Sequence, residues 1–415
     1  MESPLLRVDD LIDLNTNVQT VTGTVKHPDR PCARAGRRCQ RPASAMWIIR
    51  VADGRAQGTP QMIRTVSSRT EPMGFSRDGR FFYGESSAAS DVYTVRLGPA
   101  TDEGLGPKER IVNRFEGFNS SPSYSPDGKY LAYSSRRPGS GTVIPGNVLC
   151  IVSMGTGEER EFSKELGEVE VGVVTRPRWA PDGKSIVFYG YAKHAKPAAF
   201  WGGIYVVDLR TGAVSEVLYS GEDALVYPAG WSADGKSVVF FRFDKKKSLY
   251  HLVARNIEAG TEKTLYELPE SANPDRSVWP VHELPESVSP DLAVSPDFQR
   301  LCIVTSDRGK RAFWIMEAAG GEPRKLREFA ERQRPAWVTW AADAKHILFT
   351  TQEEAAGWRL WRLPIDGAEP ELLGLPGSNY THLSAHPDGK QIAFSGGPQL
   401  GAEIWVMENL LPREE

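Results

Sequence analysis

Short apolar runs of three to six residues recur along the chain, and each is introduced by a polar turn of nearly constant wording. SRDGRFFYGES centres on Asp78, SPDGKYLAYSS on Asp127, APDGKSIVFYG on Asp182 and SADGKSVVFFR on Asp234. SPDFQRLCIVT, AADAKHILFTT and HPDGKQIAFSG follow around Asp297, Asp343 and Asp388. By subtraction, successive Asp positions are 49, 55, 52, 63, 46 and 45 residues apart. A period near fifty with variable insertions marks a repeat architecture. The runs after the turn are β-branched and aromatic and barely alternate, which predicts strands buried on both faces.

The turn itself has a mechanism. Asp bonds nearby backbone N–H groups and Gly accepts a positive φ. The copies at Asp297 and Asp343 lack the Gly and that at Asp78 lacks the Pro, so those turns are expected to deviate most. Three residues before the Asp stand Phe75, Tyr124, Trp179, Trp231, Val294, Trp340 and Ala385, five of them aromatic, which predicts one recurring packing slot. A carboxylate repeated seven times reads as a turn closer rather than as a catalytic acid.

A second element alternates with the first. It includes DVYTVRL (91–97), GIYVVDLRTGAVSEVL (203–218), AFWIMEAAGGEPRKL (312–326) and EIWVMENLLP (403–412). An apolar strand, a Gly-containing turn and a charged strand form a hairpin with an exposed outer edge. One repeat is then four strands running from buried to exposed, which is a β-propeller blade. The fold class is all-β. Seven blades are expected, with Gln61 to Val66 supplying the outer strand that the last unit, Asp388 to Leu411, lacks. Eight blades are the alternative.

The pattern W-S-P-D-G-K-x-I-A-F followed by I-W-V-M-x-x-x-G-G-E-P-x-x-L resembles the Pro-Asp repeat of TolB-like propellers over residues 46 to 412. The resemblance implies a propeller and leaves function open, because this architecture hosts binding modules, enzymes and scaffolds alike. Residues 46–415 are assigned to a single propeller domain. Residues 1–45 form an N-terminal extension without the pattern, expected to pack poorly. Its stretch RPCARAGRRCQRP holds Cys32 and Cys39 at a spacing unlike that of a zinc ribbon. Cys150 and Cys302 fall inside predicted strands and read as buried thiols.

A net charge of −3 argues against nucleic acid as partner of the propeller body. No apolar run is long enough to span a membrane. The start MESPLLRVDDLIDLN has acids where a secretory leader needs a hydrophobic core, so a cytoplasmic location is expected as the chain stands. A periplasmic one is the alternative that the family resemblance raises. The chain is expected to be monomeric.

No G-x-S-x-G elbow is present, which argues against a serine hydrolase of the kind that follows similar propellers in prolyl-oligopeptidase-like enzymes. Of the seven His, His382 and His386 alone share an i, i+4 spacing. No metal and no cofactor are expected. The leading expectation is a non-enzymatic module recognising a protein or peptide on its loop face. The alternatives are a C-terminal sensor propeller separated from a bacterial kinase or transcription regulator, the propeller half of a peptidase, and a propeller lyase or glycosidase. The longest insertions carry Tyr191, His194, Trp201, Trp279, His282, Tyr380 and His382, residue types that anchor interfaces.

Overall fold

The computed structural model describes thirty-one β-strands and the turns that join them. Residues 1–17, 24–44, 98–106, 112–118, 137–146, 172–176, 193–201, 269–290, 374–379, 398–401 and 408–415, with a few shorter loop stretches, lie outside the described residues. The chain divides into two compact units, Met1–Ala89 with Pro398–Glu415, and Ser90–Gly397. The propeller expected from residue 46 onward therefore contributes strands to both units.

The first unit holds two antiparallel three-stranded sheets. One is β1 (Val18–Gly23), β2 (Ala45–Ala52) and β3 (Arg55–Thr65) in chain order. The other places β5 (Phe81–Ser86) between β4 (Arg69–Phe75) and β31 (Ala402–Met407).

The second unit is the propeller, and it has six blades among the described residues. Blade one is β8 (Asn119–Tyr124), β9 (Tyr130–Arg136), β10 (Asn147–Ser153) and β11 (Glu159–Glu161). In blade two the innermost position is divided. β12 (Val169–Val171) and β13 (Arg178–Trp179) pair with opposite ends of β14 (Ser185–Ala192), which is followed by β15 (Gly203–Asp208) and β16 (Val214–Tyr219). Blade three is β17 (Ala224–Trp231), β18 (Ser237–Asp244), β19 (Leu249–Asn256) and β20 (Glu262–Glu267). Blade four is β21 (Asp291–Val294), β22 (Arg300–Asp307), β23 (Lys310–Glu317) and β24 (Arg324–Glu328). Blade five is β25 (Arg334–Trp340), β26 (His346–Glu353), β27 (Gly357–Pro364) and β28 (Glu371–Leu372). Blade six joins β29 (Thr381–Ala385) and β30 (Gln391–Gly396) to β6 (Asp91–Arg96) and β7 (Glu109–Arg110). The innermost strands touch in a closed cycle, β8 to β13, β17, β21, β25, β29 and back to β8.

This closure corrects the expected one. Gln61 to Thr65 lie in β3, paired with β2, and the strand that completes the Asp388 blade is β6. The β30–β6 ladder runs from Gln391↔Arg96 to Gly396↔Asp91 without a break. Its physical reason is two-sided burial. Val95 enters the core between blades five and six, Val92 the core between blades six and one, and Tyr93 stacks on Phe394 at 5.9 Å. The third strand expected there, from EIWVMENLLP, pairs with β5 instead. Among the described residues, seven blades thus give way to six.

Neighbouring blades share apolar clusters. Ala132 and Leu149 of blade one meet Trp179 and Phe188 of blade two, and Val187 of blade two meets Trp231 and Phe240 of blade three. The aromatic slot is real and has a polar function as well. The indole Nε1 of Trp179 donates to Ser123 O at 2.9 Å, that of Trp231 to Arg178 O at 3.0 Å, and that of Trp340 to Ala293 O at 2.9 Å. Each acceptor lies one residue before the slot of the preceding blade. At the outer rim, Arg160, Lys263 and Arg324 donate to the carbonyls of Leu209, Ala319 and Ile365 on the next blade. Cys150 and Cys302 are buried free thiols, as expected. No helix of the described residues is long and apolar enough to cross a membrane.

The repeated Asp residues close their turns. Asp127 Oδ1 accepts from Lys129 N at 3.1 Å and from Ser125 Oγ at 2.7 Å. Asp182, Asp234, Asp297, Asp343 and Asp388 accept in the same way from the backbone N–H two residues on. Asp78 lies outside the described residues. The copies without Gly do not deviate: Phe298 (φ 57°) and Ala344 (φ 52°) take the left-handed conformation that Gly128 and Gly183 take elsewhere. Tertiary context imposes the turn, and the β-carbon bears the strain.

Ala344→Gly should therefore raise stability by about 1 kcal/mol, shifting the melting temperature upward by a few degrees. A second expectation concerns acid. The Ser125 and Ser232 hydroxyls hold the Asp127 and Asp234 carboxyls below the usual carboxylate range. A lowered folded value means stability that is present above the unfolded pKa, near 4, and lost as pH falls through the folded one. Thermal melts should show this acid loss, and it should shrink in the Asp127→Asn and Asp234→Asn variants.

Candidate functional site

The two ends of the ring differ. At one end lie the Asp turns, and they abut one another. A Cβ on Gly128 would stand 2.5 Å from His386 Nε2 and 3.0 Å from Pro387 Cγ, so only glycine allows the blade-six turn to close on blade one. His386 Nε2 also lies 3.1 Å from the Gly128 carbonyl oxygen. Pro126 abuts the turn at Gly183, Pro181 that at Gly235, and Ala342 that at Gly389. This end is built of short interlocked turns.

The opposite end is where innermost strands begin and second strands finish. The long connections emerge here, from Arg136 to Asn147, from Ala192 to Gly203 and from Glu267 to Asp291. Polar groups are buried beneath it. Asn119 Nδ2 donates to Asp91 Oδ1 at 2.7 Å, and Ser135 Oγ donates to Asn119 Oδ1 at 2.6 Å. The Arg110 guanidinium lies 3.8 Å from the same Asp91 carboxylate. These groups tie β6 and β7 of blade six to β8 and β9 of blade one.

Bulges shape the inner wall at this end. The register shifts between Ser120 and Ser123 in β8, between Pro335 and Val338 in β25, and between Thr381 and Ser384 in β29. Bulges re-aim side chains and gather beside functional sites. The bulge residues are Ser121, Trp337 and His382, on three innermost strands that are neighbours in the ring. Ser121 (φ 60°) and His382 (φ 54°) are in the left-handed region, which is costly for a residue with a β-carbon. Ser121 N donates to Ser395 Oγ at 2.8 Å, and the fully buried Ser121 Oγ makes no hydrogen bond among the described residues. The His382 ring packs on Trp337 with centroids 4.0 Å apart. Deeper along β8, burial and the Asp388 charge push the Tyr124 phenol well above its usual value, and its hydroxyl also has no hydrogen bond among the described residues. Strain, an aromatic–imidazole pair and buried hydroxyls therefore coincide on one sector of the wall.

The sequence-derived candidates divide. Tyr380 and His382 are both buried: Tyr380, in the connection just before β29, is 2% exposed and packed edge-on against Phe394 at 4.7 Å, and His382 is 4% exposed within β29. The stretch LPGSNYTHL reads as loop from its Pro, Gly, Ser and Asn, yet its last residues are the start of an innermost strand. Tyr191 belongs to β14 by its backbone. His194, Trp201, Trp279 and His282 lie outside the described residues. Ser121, Trp337 and the Asp91–Asn119 pair were missed. A signal for two of the bulges exists in Pro122 and Pro335, which precede the aromatic slot in β8 and β25, while the β29 bulge has no Pro. A Pro inside a strand otherwise read as central points to a bulge.

Ser121→Gly should relieve the left-handed strain and remove the unsatisfied hydroxyl, raising stability by about 1 kcal/mol in a thermal or denaturant melt.

Residues 103–280 match the family model for the TolB beta propeller domain. An uncharacterized protein of Agrobacterium fabrum is 26% identical over 192 residues, covering 45% of this chain and 59% of that protein, so the match spans less than two thirds of the relative's length. Among solved structures, a putative TolB from Agrobacterium tumefaciens superposes with a TM-score of 0.51 at 18% identity, covering 75% of this chain and 99% of the other. A structure from a study of two prolyl endopeptidases covers 82% of this chain and 50% of its own, at 15% identity and a TM-score of 0.45.

Proposed function

We propose that this β-propeller, whose residues 103–280 match the TolB beta propeller domain, is a non-enzymatic binding module taking a protein or peptide segment at the end of the ring opposite the Asp turns. The observation that carries this reading is the asymmetry of the two ends. At the turn end the chain is used up in short contacts from blade to blade, with Pro387 seated on Gly128 across the closing seam. At the other end the long connections emerge, above bulged innermost strands that hold Ser121 and His382 in a costly conformation. Loops on a rigid scaffold are where recognition concentrates, and observed strain points toward function. The repeated carboxylates favour binding over catalysis as well, since those described are occupied in closing turns.

In this reading Tyr191 at the end of β14 and His194, Trp201, Trp279 and His282 in the connections provide the anchors, beside Trp337 and His382 on the inner wall. Anchors of these residue types suit an extended peptide or a partner's protruding loop. Trp201→Ala and Trp279→Ala should each weaken partner binding by about 2 kcal/mol, near thirtyfold, with an unchanged melting temperature. Affinity capture from bacterial envelope extract with the full chain and both variants measures this, beside a turnover screen over lyase, glycosidase and peptidase substrates. Saturable turnover that the two substitutions abolish would replace the binding reading with an enzymatic one. Unfolding of both variants would make these Trp residues blade caps and move the search to the Asp-turn end.

A further inference from the structure

The chain contains seven Asp-Gly pairs, of which Asp53–Gly54 and Asp78–Gly79 lie outside the described residues. This dipeptide has a reactivity of its own. The glycine amide nitrogen attacks the aspartate Cγ, the Cγ–OH bond breaks, and water leaves as a five-membered succinimide closes. A second water then opens the ring at either carbonyl. Opening on the main-chain side leaves the backbone running through the β-carboxyl, as isoaspartate. The sequence is redox-neutral and returns the water it releases. It is favoured by a protonated carboxyl, a loosely held glycine N–H and room for the backbone to turn.

Four of the five described pairs are Asp turns of the propeller, and their packing opposes the reaction. Gly128, Gly183, Gly235 and Gly389 donate to the carbonyls of Ser125, Ala180, Ser232 and His386 at 2.9–3.0 Å. An added Cβ on each would meet the turn of a neighbouring blade within 4.0 Å. At Asp127 and Asp234 a serine hydroxyl also holds the carboxyl below its usual range, away from the protonated form that the reaction consumes. Asp366–Gly367, in the turn between β27 and β28, is built more loosely. Gly367 N donates to the Pro364 carbonyl at 3.3 Å, beyond the usual range of such bonds. An added Cβ there would meet nothing within 4 Å, and Asp366 is exposed. Its Oδ1 accepts from Ala368 N at 3.0 Å, as in the other turns, so the contrast lies in the glycine and the space around it.

The same turn anchors the rim. Arg324 of blade four donates to the Ile365 carbonyl at 2.6 Å, and Arg327 donates to Glu369 Oε2 at 2.8 Å. β28 has two residue pairs with β27, so little ladder holds the turn in place. Isoaspartate adds one carbon to the main chain at Asp366 and displaces the acceptors on either side of it. We propose that Asp366–Gly367 is a site of spontaneous modification, which ages to isoaspartate ahead of the other described Asp-Gly pairs and loosens the rim contact between blades four and five.

The test holds the full chain for weeks in warm, mildly acidic buffer below its melting temperature. Mass spectrometry of its peptides then separates aspartyl from isoaspartyl forms. Isoaspartate at Asp366 is expected at roughly tenfold the level at Asp127, Asp182, Asp234 or Asp388, because local packing protects those turns. Equal levels at the five sites, or none at Asp366, would overturn the proposal. In urea the excess should vanish, and an excess that persisted there would trace it to local sequence and overturn the structural argument. Aged protein should melt at a lower temperature than fresh protein. The Asp366→Glu variant, which cannot close the five-membered ring, should keep its melting temperature through the same ageing. Equal change in the two proteins would overturn the loosening of the rim.

Discussion

In a propeller the innermost strands do not pair with one another, so the carbonyl row along each inner edge must find donors elsewhere or remain unsatisfied. Here a single side-chain hydrogen bond meets that demand repeatedly. The indole of Trp179, Trp231 or Trp340 reaches back to the preceding blade and donates to the carbonyl just before that blade's own slot. One residue thereby fills the gap between two sheets with a large apolar ring and fixes their relative height with a directional bond. Where the indole is absent, other means appear. Val294 cannot donate, and its Cγ2 instead closes on Gly230, where an added Cβ would stand only 2.7 Å away. At the junction of blades six and one the same direction is kept with other groups: the backbone N–H of Tyr124 donates to Ser384 Oγ at 3.1 Å. The closing seam is thus held by serine, asparagine and aspartate side chains around a smaller apolar cluster.

Much of this was legible in the sequence. The Asp turn, the aromatic slot and the unalternating buried runs are local chemistry, and local chemistry is what a repeat states most clearly. The partner of each third strand was not legible. DVYTVR and AEIWVM both offer apolar residues on both faces, and nothing within either says whether β5 or β30 receives it. Pairing over that distance is decided by which cores Val92 and Val95 can fill together, a property of the assembled ring. The turns without Gly misled for a related reason: intrinsic preference argued for deviation at Phe298 and Ala344, and packing against neighbouring blades overrode it. Of the functional candidates chosen for composition, His194, Trp201, Trp279 and His282 lie outside the described residues. The bulged residues of the inner wall were hidden, because a bulge changes which face a residue occupies without changing its identity.

The arrangement separates two demands. Rigidity is concentrated at the Asp-turn end, where neighbouring turns touch directly, and along the slot bonds. The connections from Arg136 to Asn147, from Ala192 to Gly203 and from Glu267 to Asp291 stand at the other end, where an insertion lengthens a connection without disturbing a ladder. This explains how spacings from 45 to 63 residues coexist with one blade geometry.

The pairing of β30 with β6 also has a consequence in time. Arg96 and Gln391 are partners separated by 295 residues, by subtraction. At a synthesis rate of about 5–20 residues per second, β6 leaves the ribosome roughly 15–60 seconds before its partner exists. During that interval five blades can form in order while Val92, Tyr93 and Val95 have no sheet to join. A nascent chain of this design carries an open strand edge through most of its own manufacture, and the last blade to be translated relieves it.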